Sequence, residues 1–188
     1  MLEIWFSQDE RKTLKMNALI VYDSQFGNTE RIAQCITATL SEFGQARAVR
    51  VGQVHSEELQ GVNMLILGCP TQGMRQTPAM QSFITSIPRE LLSGLSVACF
   101  DTRFRGGFWK ISAAPGMAKQ LRTMGVRLLV PPESFFVKSM KKEGPLLAGE
   151  MERAASWAHG LSEKIARPST CCEVIGGAER DLPGVGVS

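Results

Sequence analysis

Cysteine and histidine are scarce in this chain, and long apolar runs are absent. Its 188 residues include five cysteines and two histidines, without the spacing of a metal site or of a disulfide framework. No apolar run reaches the roughly 18 residues of a membrane helix, and charged residues stand where a signal peptide has its apolar core. The net charge of +3 is small, and no basic stripe with interleaved aromatics indicates nucleic-acid binding. The sequence therefore predicts a cytoplasmic protein with no membrane span and no nucleic-acid partner.

Residues 18–33 lack the two common nucleotide motifs, the Gly-Lys-Ser/Thr ending of the P-loop and the Gly-x-Gly-x-x-Gly fingerprint. They instead join an apolar run to an amphipathic segment through a short loop of small and polar residues: Ser24, Gln25, Phe26, Gly27, Asn28 and Thr29. A strand followed at once by a helix N-terminus forms an anion site from free N–H groups and the helix dipole. No Lys or Arg lies within the loop, so we expect dipoles and hydroxyls alone to hold a phosphate. An ordinary helix cap is the alternative interpretation.

Strand and helix patterns alternate along the rest of the chain. Apolar runs predict strands at residues 18–22, 64–67 and 95–100, and a fifth strand is predicted in one or two pieces at 127–130 and 134–137. Alternation of apolar and polar residues predicts an edge strand at 46–51. Helical spacing of apolar residues predicts four helices between and after them, the first with Ile32, Ile36, Leu40 and Phe43 on one face. This alternation predicts a doubly wound α/β fold with a five-stranded parallel sheet and helices on both faces.

The spacing Ser24-x-x-Gly27-x-Thr29-x-x-x-Ala33 resembles the mononucleotide loop of the flavodoxin family. The resemblance implies a flavodoxin-like fold with strand order 2-1-3-4-5 and a loop that cradles the phosphate of FMN. In this order the loops after strands one, three and four converge at the carboxyl edge of the sheet, where ligands bind in open α/β folds.

The loops after strands three and four also resemble flavin loops of that family. The first begins Gly68-Cys69 and continues with the candidate flavin contacts Pro70, Thr71, Gln72, Gly73 and Met74. The second contains the candidates Asp101, Thr102, Arg103, Phe104, Gly107 and Phe108. The resemblance implies backbone contacts to the flavin from both loops and a stacked ring from Phe104, Phe108 or Trp109. A turn punctuated by prolines and an aromatic surface that binds a partner are the alternatives.

The two flavin loops depart from the family pattern in their charge. Many electron-carrier flavodoxins are strongly acidic and place an aromatic residue in each loop. Here the first loop has Met74 instead, and Arg75, Arg103 and Arg105 border the site. Because positive charge favours a reduced, anionic flavin, the sequence predicts a milder reductant than an acidic carrier.

Both ends of the chain look appended to the predicted domain. We expect an N-terminal extension at residues 1–15, the FMN-binding domain at 16–166 and a mobile C-terminal tail at 167–188. Met16 is a candidate start codon. The tail includes Cys171 and Cys172, whose role the sequence leaves open, whereas Cys35 and Cys99 fall on apolar faces and are expected in the core.

The resemblance implies an FMN-binding redox protein. It would act either in electron transfer with a redox partner protein or as a small oxidoreductase linked to NAD(P)H or a quinone. A flavin-free scaffold that serves as a protein-interaction module is the alternative, because a fold alone does not fix a function. A phosphoacceptor receiver domain is disfavoured, since strand three ends in Gly68-Cys69 instead of an Asp and strand one supplies the single acid Asp23.

Overall fold

The computed structural model describes residues 15–105, 112–139 and 144–166. The predictions for the N-terminal extension, for Gly107, Phe108 and Trp109, and for the C-terminal tail concern residues outside this set.

Five parallel strands form one sheet, in the order β2-β1-β3-β4-β5. Their bounds are β1 Met16–Tyr22, β2 Gly44–Arg50, β3 Met64–Pro70, β4 Ser96–Phe104 and β5 Glu133–Val137. The central strands β1 and β3 are apolar along their length because helices cover both of their faces. The predicted order and the parallel sheet are confirmed.

Five α-helices in the described part of the chain flank the sheet, one more than the sequence predicts, and each packs its apolar residues against one face. Their bounds are α1 Asn28–Ser41, α2 Pro78–Ser86, α3 Arg89–Leu92, α4 Ala113–Thr123 and α5 Glu150–Ala166. Helices α1 and α5 bury their apolar residues in one core cluster, and α2, α3 and α4 bury theirs in a second cluster on the opposite face. Among the described residues, no helix is long and apolar enough to cross a membrane.

Three further details differ from the sequence predictions. Helix α1 ends at Ser41, so Phe43 lies beyond it and is 44% exposed instead of completing the apolar face. Residues 127–130 form no strand, although Leu128 makes an isolated parallel bridge to Val97. Strand β4 continues to Phe104, so Asp101 and Thr102 belong to the sheet and not to a loop. Both residues pair with β3 on one side and with β5 on the other.

The cysteines lie close to the expected places. Cys99 is fully buried, and Cys35 is half-buried on α1. Cys69 is also buried, and its thiol donates to Met117 Sδ on α4 at 3.8 Å.

The outer edge of β5 is paired by the chain that returns from it. Lys138 N donates to Pro145 O at 2.8 Å, and Leu147 N donates to Phe136 O at 2.9 Å. These bonds place Gly144 near the carboxyl edge of the sheet, where the candidate site lies. They also satisfy backbone groups that would otherwise remain open on an edge strand.

Candidate functional site

The loop after β1 presents the free N-terminus of α1 at the carboxyl edge of the sheet. Gly27 is the residue that precedes the helix, and its φ of 82° is a left-handed conformation that glycine adopts without strain. The first helical bond runs from Arg31 N to Gly27 O at 3.0 Å, so the N–H groups of residues 28–30 have no helical carbonyl. In the described part of the chain, no side chain caps this end. The geometry leaves several backbone donors for an anion.

Two hydroxyls of the same loop are buried, and they differ in how they are satisfied. Thr29 is 1% exposed, and its Oγ1 lies 2.7 Å from Oγ1 of Thr102 on β4. Ser24 is 3% exposed, and its Oγ has no hydrogen-bond partner among the described residues. Because a buried hydroxyl without a partner is costly, Ser24 is the residue here that most clearly requires a ligand.

A cation contacts this loop from the neighbouring strand. Arg50 is the last residue of β2, and its Nη2 donates to the backbone carbonyl of Ser24. The loop itself contains no Lys or Arg, and the neighbouring strand brings a cation to its backbone. Strand β2 lies beside β1, with Arg50 opposite Tyr22, and this register brings a residue 26 positions away to the loop.

The loop after β3 is tied to the start of α4. Thr71 Oγ1 donates to Asp101 Oδ2 at 3.2 Å and accepts from Ala113 N at 3.0 Å. Ala114 N donates to the same Oδ2 at 2.8 Å. Asp101 and Thr71 thus satisfy the first N–H groups of the helix, which a cap would otherwise satisfy. Pro70 ends β3 directly before this link, and Thr71 N donates to Thr102 O at 2.9 Å.

A tight turn follows in the same loop. Gln72 and Arg75 exchange two backbone hydrogen bonds of 3.0 Å, with Gly73 and Met74 between them at φ values of 52° and 64°. Two successive positive φ values define a type I′ turn, and Met74 is the one described non-glycine residue with a positive φ. Gln72 Nε2 also donates to Gln25 Oε1 at 2.7 Å, which joins this turn to the loop after β1.

Asn28 ties the loop after β1 to the chain that follows β5. Its Nδ2 donates to the carbonyl of Gly144 at 2.8 Å. Asn28, Gln25 and Gln72 are candidate site residues, but the sequence does not predict these two contacts, because both depend on the assembled sheet.

The end of β4 combines a buried carboxylate with two arginines. Asp101 Oδ1 and Arg103 Nε lie 4.0 Å apart, and both atoms are buried without a hydrogen-bond partner in the described residues. The guanidinium carbons of Arg103 and Arg105 lie 5.1 and 5.7 Å from the ring centroid of Phe136 on β5. Arg103 is therefore oriented by a carboxylate and a ring, whereas Arg105 and Arg75 are exposed.

Three segments at this edge each expose one large apolar side chain. Phe26 in the loop after β1 is 43% exposed, Met74 in the loop after β3 is 56% exposed, and Phe104 at the end of β4 is 39% exposed. Apolar side chains that remain exposed on separate segments at one edge are typical of a binding surface.

The thiol of Cys69, near the end of β3, is not a reactive group. Burial raises the pKa of Cys69 from 9.0 to about 12, so the thiol stays protonated at neutral pH. Since the thiolate is the nucleophile, Cys69 serves packing and not chemistry.

The family model of the flavodoxins matches residues 20–130 of this chain. A flavodoxin from Clostridium beijerinckii is 36% identical over 86 residues, which are 44% of this chain and 62% of that protein. A flavodoxin from Nitratidesulfovibrio vulgaris is 36% identical over 70 residues, which are 36% of this chain and 47% of that protein. The chain thus matches less than two thirds of the length of either relative.

A solved flavodoxin from the domain Archaea has the same fold. It aligns with a TM-score of 0.66 at 20% identity, over 81% of this chain and 100% of the other. The family model spans more than half of the chain and includes the loops after β1, β3 and β4. This chain belongs to the flavodoxin family, whose cofactor is FMN.

Proposed function

We propose that this protein binds FMN at the three loops of its carboxyl edge and transfers electrons through it. The observation that carries the proposal is the buried Ser24 Oγ, which has no partner within residues 15–105, 112–139 and 144–166, beside the N-terminus of α1, which no side chain from these residues caps. A phosphate would satisfy that hydroxyl and the free N–H groups of the first helical turn together.

The proposed contacts come from three segments. The phosphate group would be held by residues 24–29, with Thr29 oriented by Thr102. The flavin ring would lie against the loop after β3 and the end of β4, where apolar and backbone groups are available. The proposed contacts in these two segments are Pro70, Thr71, Gln72, Gly73, Met74, Asp101, Thr102, Arg103 and Phe104, together with Gly107 and Phe108, which lie outside the described residues.

FMN would supply the electron-accepting ring, and the protein would position it and set its electrostatic surroundings. Thr71 and Asp101 hold both flavin loops to the start of α4, so the two sides of the ring site are fixed relative to each other. The exposed Phe26, Met74 and Phe104 would exclude water around the ring edge and contact the molecule that exchanges electrons with it.

The exchange partner is proposed as a redox protein that carries acidic groups at its contact surface. Arg75 and Arg105 are exposed beside the apolar side chains, which gives the edge a positive rim. The same arginines favour a second candidate, a small reductase that accepts electrons from anionic NAD(P)H and passes them to a quinone. The free buried thiols Cys69 and Cys99 fit a reducing compartment, and the proposal places the protein in the cytoplasm.

Reduction of the FMN-loaded protein separates these functions. A carrier should be reduced slowly by NADH or NADPH alone and rapidly when a flavin- or iron–sulfur-containing reductase is added. Rapid, saturable oxidation of NAD(P)H with a quinone present would establish the oxidoreductase instead. A purified protein that is colourless and takes up no FMN would contradict both and favour the flavin-free scaffold.

A further inference from the structure

Arg50 contacts the phosphate loop without belonging to it. It is the last residue of the edge strand β2 and pairs with Tyr22 of β1. Its guanidinium donates to the backbone carbonyl of Ser24, two residues after Tyr22. A guanidinium is always charged at neutral pH, and its planar fork favours one orientation of the group that it binds. The contact therefore restrains the loop as well as placing a charge next to it.

The restraint acts on the peptide unit between Ser24 and Gln25. A trans peptide is planar, with the C=O of one residue and the N–H of the next pointing in opposite directions. Because Arg50 draws the Ser24 carbonyl toward β2, the N–H of Gln25 is directed away from that strand. A donor fixed in this way can join the N–H groups of the first turn of α1 as part of one anion site.

The charge of Arg50 also matters because acids stand on both sides of the loop. Asp23 precedes it, and Glu30 lies in the first turn of α1, where Tyr22 Oη donates to Glu30 Oε1 at 3.1 Å. Burial and the Glu30 contact raise the pKa of Tyr22, and the positive charge of Arg50 opposes this shift. The charge of Arg50 therefore reaches Tyr22, whose hydroxyl is bonded to Glu30.

We infer that Arg50 is a positioning residue that sets the preference of the site for a flavin with a terminal phosphate over one without it. The inference rests on the proposed function, since it concerns the phosphate of FMN. It assigns to β2 a part in the site that the loop motif does not contain.

Arg47 provides a matched control on the same strand. Its Nη2 donates to the carbonyl of Glu58 at 2.6 Å, so it also binds a backbone oxygen, but away from the phosphate loop. Replacing either arginine by Gln removes one charge and one hydrogen bond to a carbonyl. Only the Arg50 change alters the loop after β1.

The test compares FMN and riboflavin binding to the apoprotein, to Arg50→Gln and to Arg47→Gln, with far-UV circular dichroism to confirm folding. For Arg50→Gln we expect FMN affinity to fall about tenfold, equivalent to ~1.4 kcal/mol, while riboflavin affinity changes less than about twofold. Arg47→Gln should leave both affinities near those of the parent. If the Arg50→Gln change weakens the binding of FMN and riboflavin equally, or leaves the ratio of the two affinities unchanged, the inference is overturned, although the parent still binds FMN. A parent that binds neither flavin would instead overturn the proposed function.

A second measurement uses the unaltered protein and does not depend on how the variant folds. The side-chain ¹⁵N resonances of Arg50 should shift when FMN is added and stay in place when riboflavin is added. Shifts of the same size with both flavins, or with neither, would contradict a role toward the phosphate.

Discussion

Thr29 and Thr102 join the first turn of α1 to β4 through a buried hydrogen bond of 2.7 Å between their Oγ1 atoms. Both side chains are at most 5% exposed, so neither hydroxyl can turn to water if the other is removed. The bond crosses 73 residues of sequence and fixes the phosphate loop to the strand that carries one of the flavin loops.

A double-mutant cycle on this pair should show strong coupling. Thr29→Val leaves Thr102 Oγ1 buried without its partner, and we expect the free energy of unfolding to fall by about 1–3 kcal/mol. Thr29→Val with Thr102→Val replaces both hydroxyls by methyl groups and should recover much of that loss. Urea denaturation of the apoprotein measures each step. Thr123→Val, which removes an exposed hydroxyl bonded to Gln120 O, is the control and should change stability by less than about 0.5 kcal/mol. If the changes in the free energy of unfolding of the two single variants add up to that of the double variant, the two hydroxyls are not coupled.

The turn that contains Met74 stores backbone strain. Its φ of 64° costs a non-glycine residue roughly 1–2 kcal/mol, and Asn tolerates this region better than Met. We expect Met74→Asn to raise the free energy of unfolding by about 0.5–1 kcal/mol. Gly73→Ala, at a φ of 52°, should lower it by about 1–2 kcal/mol. Thermal or urea unfolding of both variants checks the signs. A loss of stability in Met74→Asn would mean that the Met74 side chain stabilises the fold by more than the backbone strain at this residue destabilises it.

The positive rim should raise the reduction potential of bound flavin. Arg103 lies beside Asp101, which offsets its charge, so we expect the larger effect from the exposed Arg105. Arg105→Glu should lower the midpoint potential by roughly 10–30 mV, because a two-electron couple shifts by about 30 mV per tenfold change in equilibrium constant. Arg89→Glu makes the same charge change at α3, before β4 and at the opposite edge of the sheet. Potentiometric titration measures the midpoint potentials of both variants. Equal midpoint potentials for Arg105→Glu and Arg89→Glu would contradict a position of Arg105 beside the flavin.

Stability should depend on pH through Cys69. The folded protein raises the pKa of this thiol from 9.0 to about 12, so the folded state holds the proton more tightly than the unfolded chain. The contribution of this thiol to the free energy of unfolding is fully present below pH 9. It decreases by about 1.4 kcal/mol per pH unit as the pH rises toward 12. Cys69→Ala should make this decline shallower, although its cavity lowers stability at neutral pH. Urea denaturation at several pH values between 8 and 11 measures both slopes, and equal slopes would contradict the assignment.

The sequence predicted most of the fold because its signals are local. The apolar runs of β1 and β3 and the helical spacing of Ile32, Ile36 and Leu40 identify elements without knowledge of their neighbours. The spacing of Phe43 predicts a place on α1, but the helix ends two residues earlier. Polar residues suggest the end of a strand and so predict a loop at Asp101 and Thr102, whereas their pairing partners extend the strand.

The parts of the site that were not predicted depend on pairing between distant segments. Arg50 reaches Ser24 only because β2 lies in parallel register beside β1. Knowing the order 2-1-3-4-5, one could place the end of β2 near the phosphate loop, but the direction of a long side chain does not follow from order alone. The Asn28–Gly144 contact similarly requires the chain after β5 to return along that strand.

The central claim is that the loop after β1 is built to hold the phosphate of FMN, and Ser24→Ala tests it most directly. The change removes a buried hydroxyl that has no partner in the described apoprotein, so stability without flavin should stay the same or rise. Fluorescence titration of the apoprotein should show one FMN bound, with affinity roughly ten- to a hundredfold weaker in Ser24→Ala and riboflavin binding little changed. Ser41→Ala, at an exposed hydroxyl bonded to Thr37 O, should match the parent. Equal FMN affinity in Ser24→Ala and the parent would contradict the account.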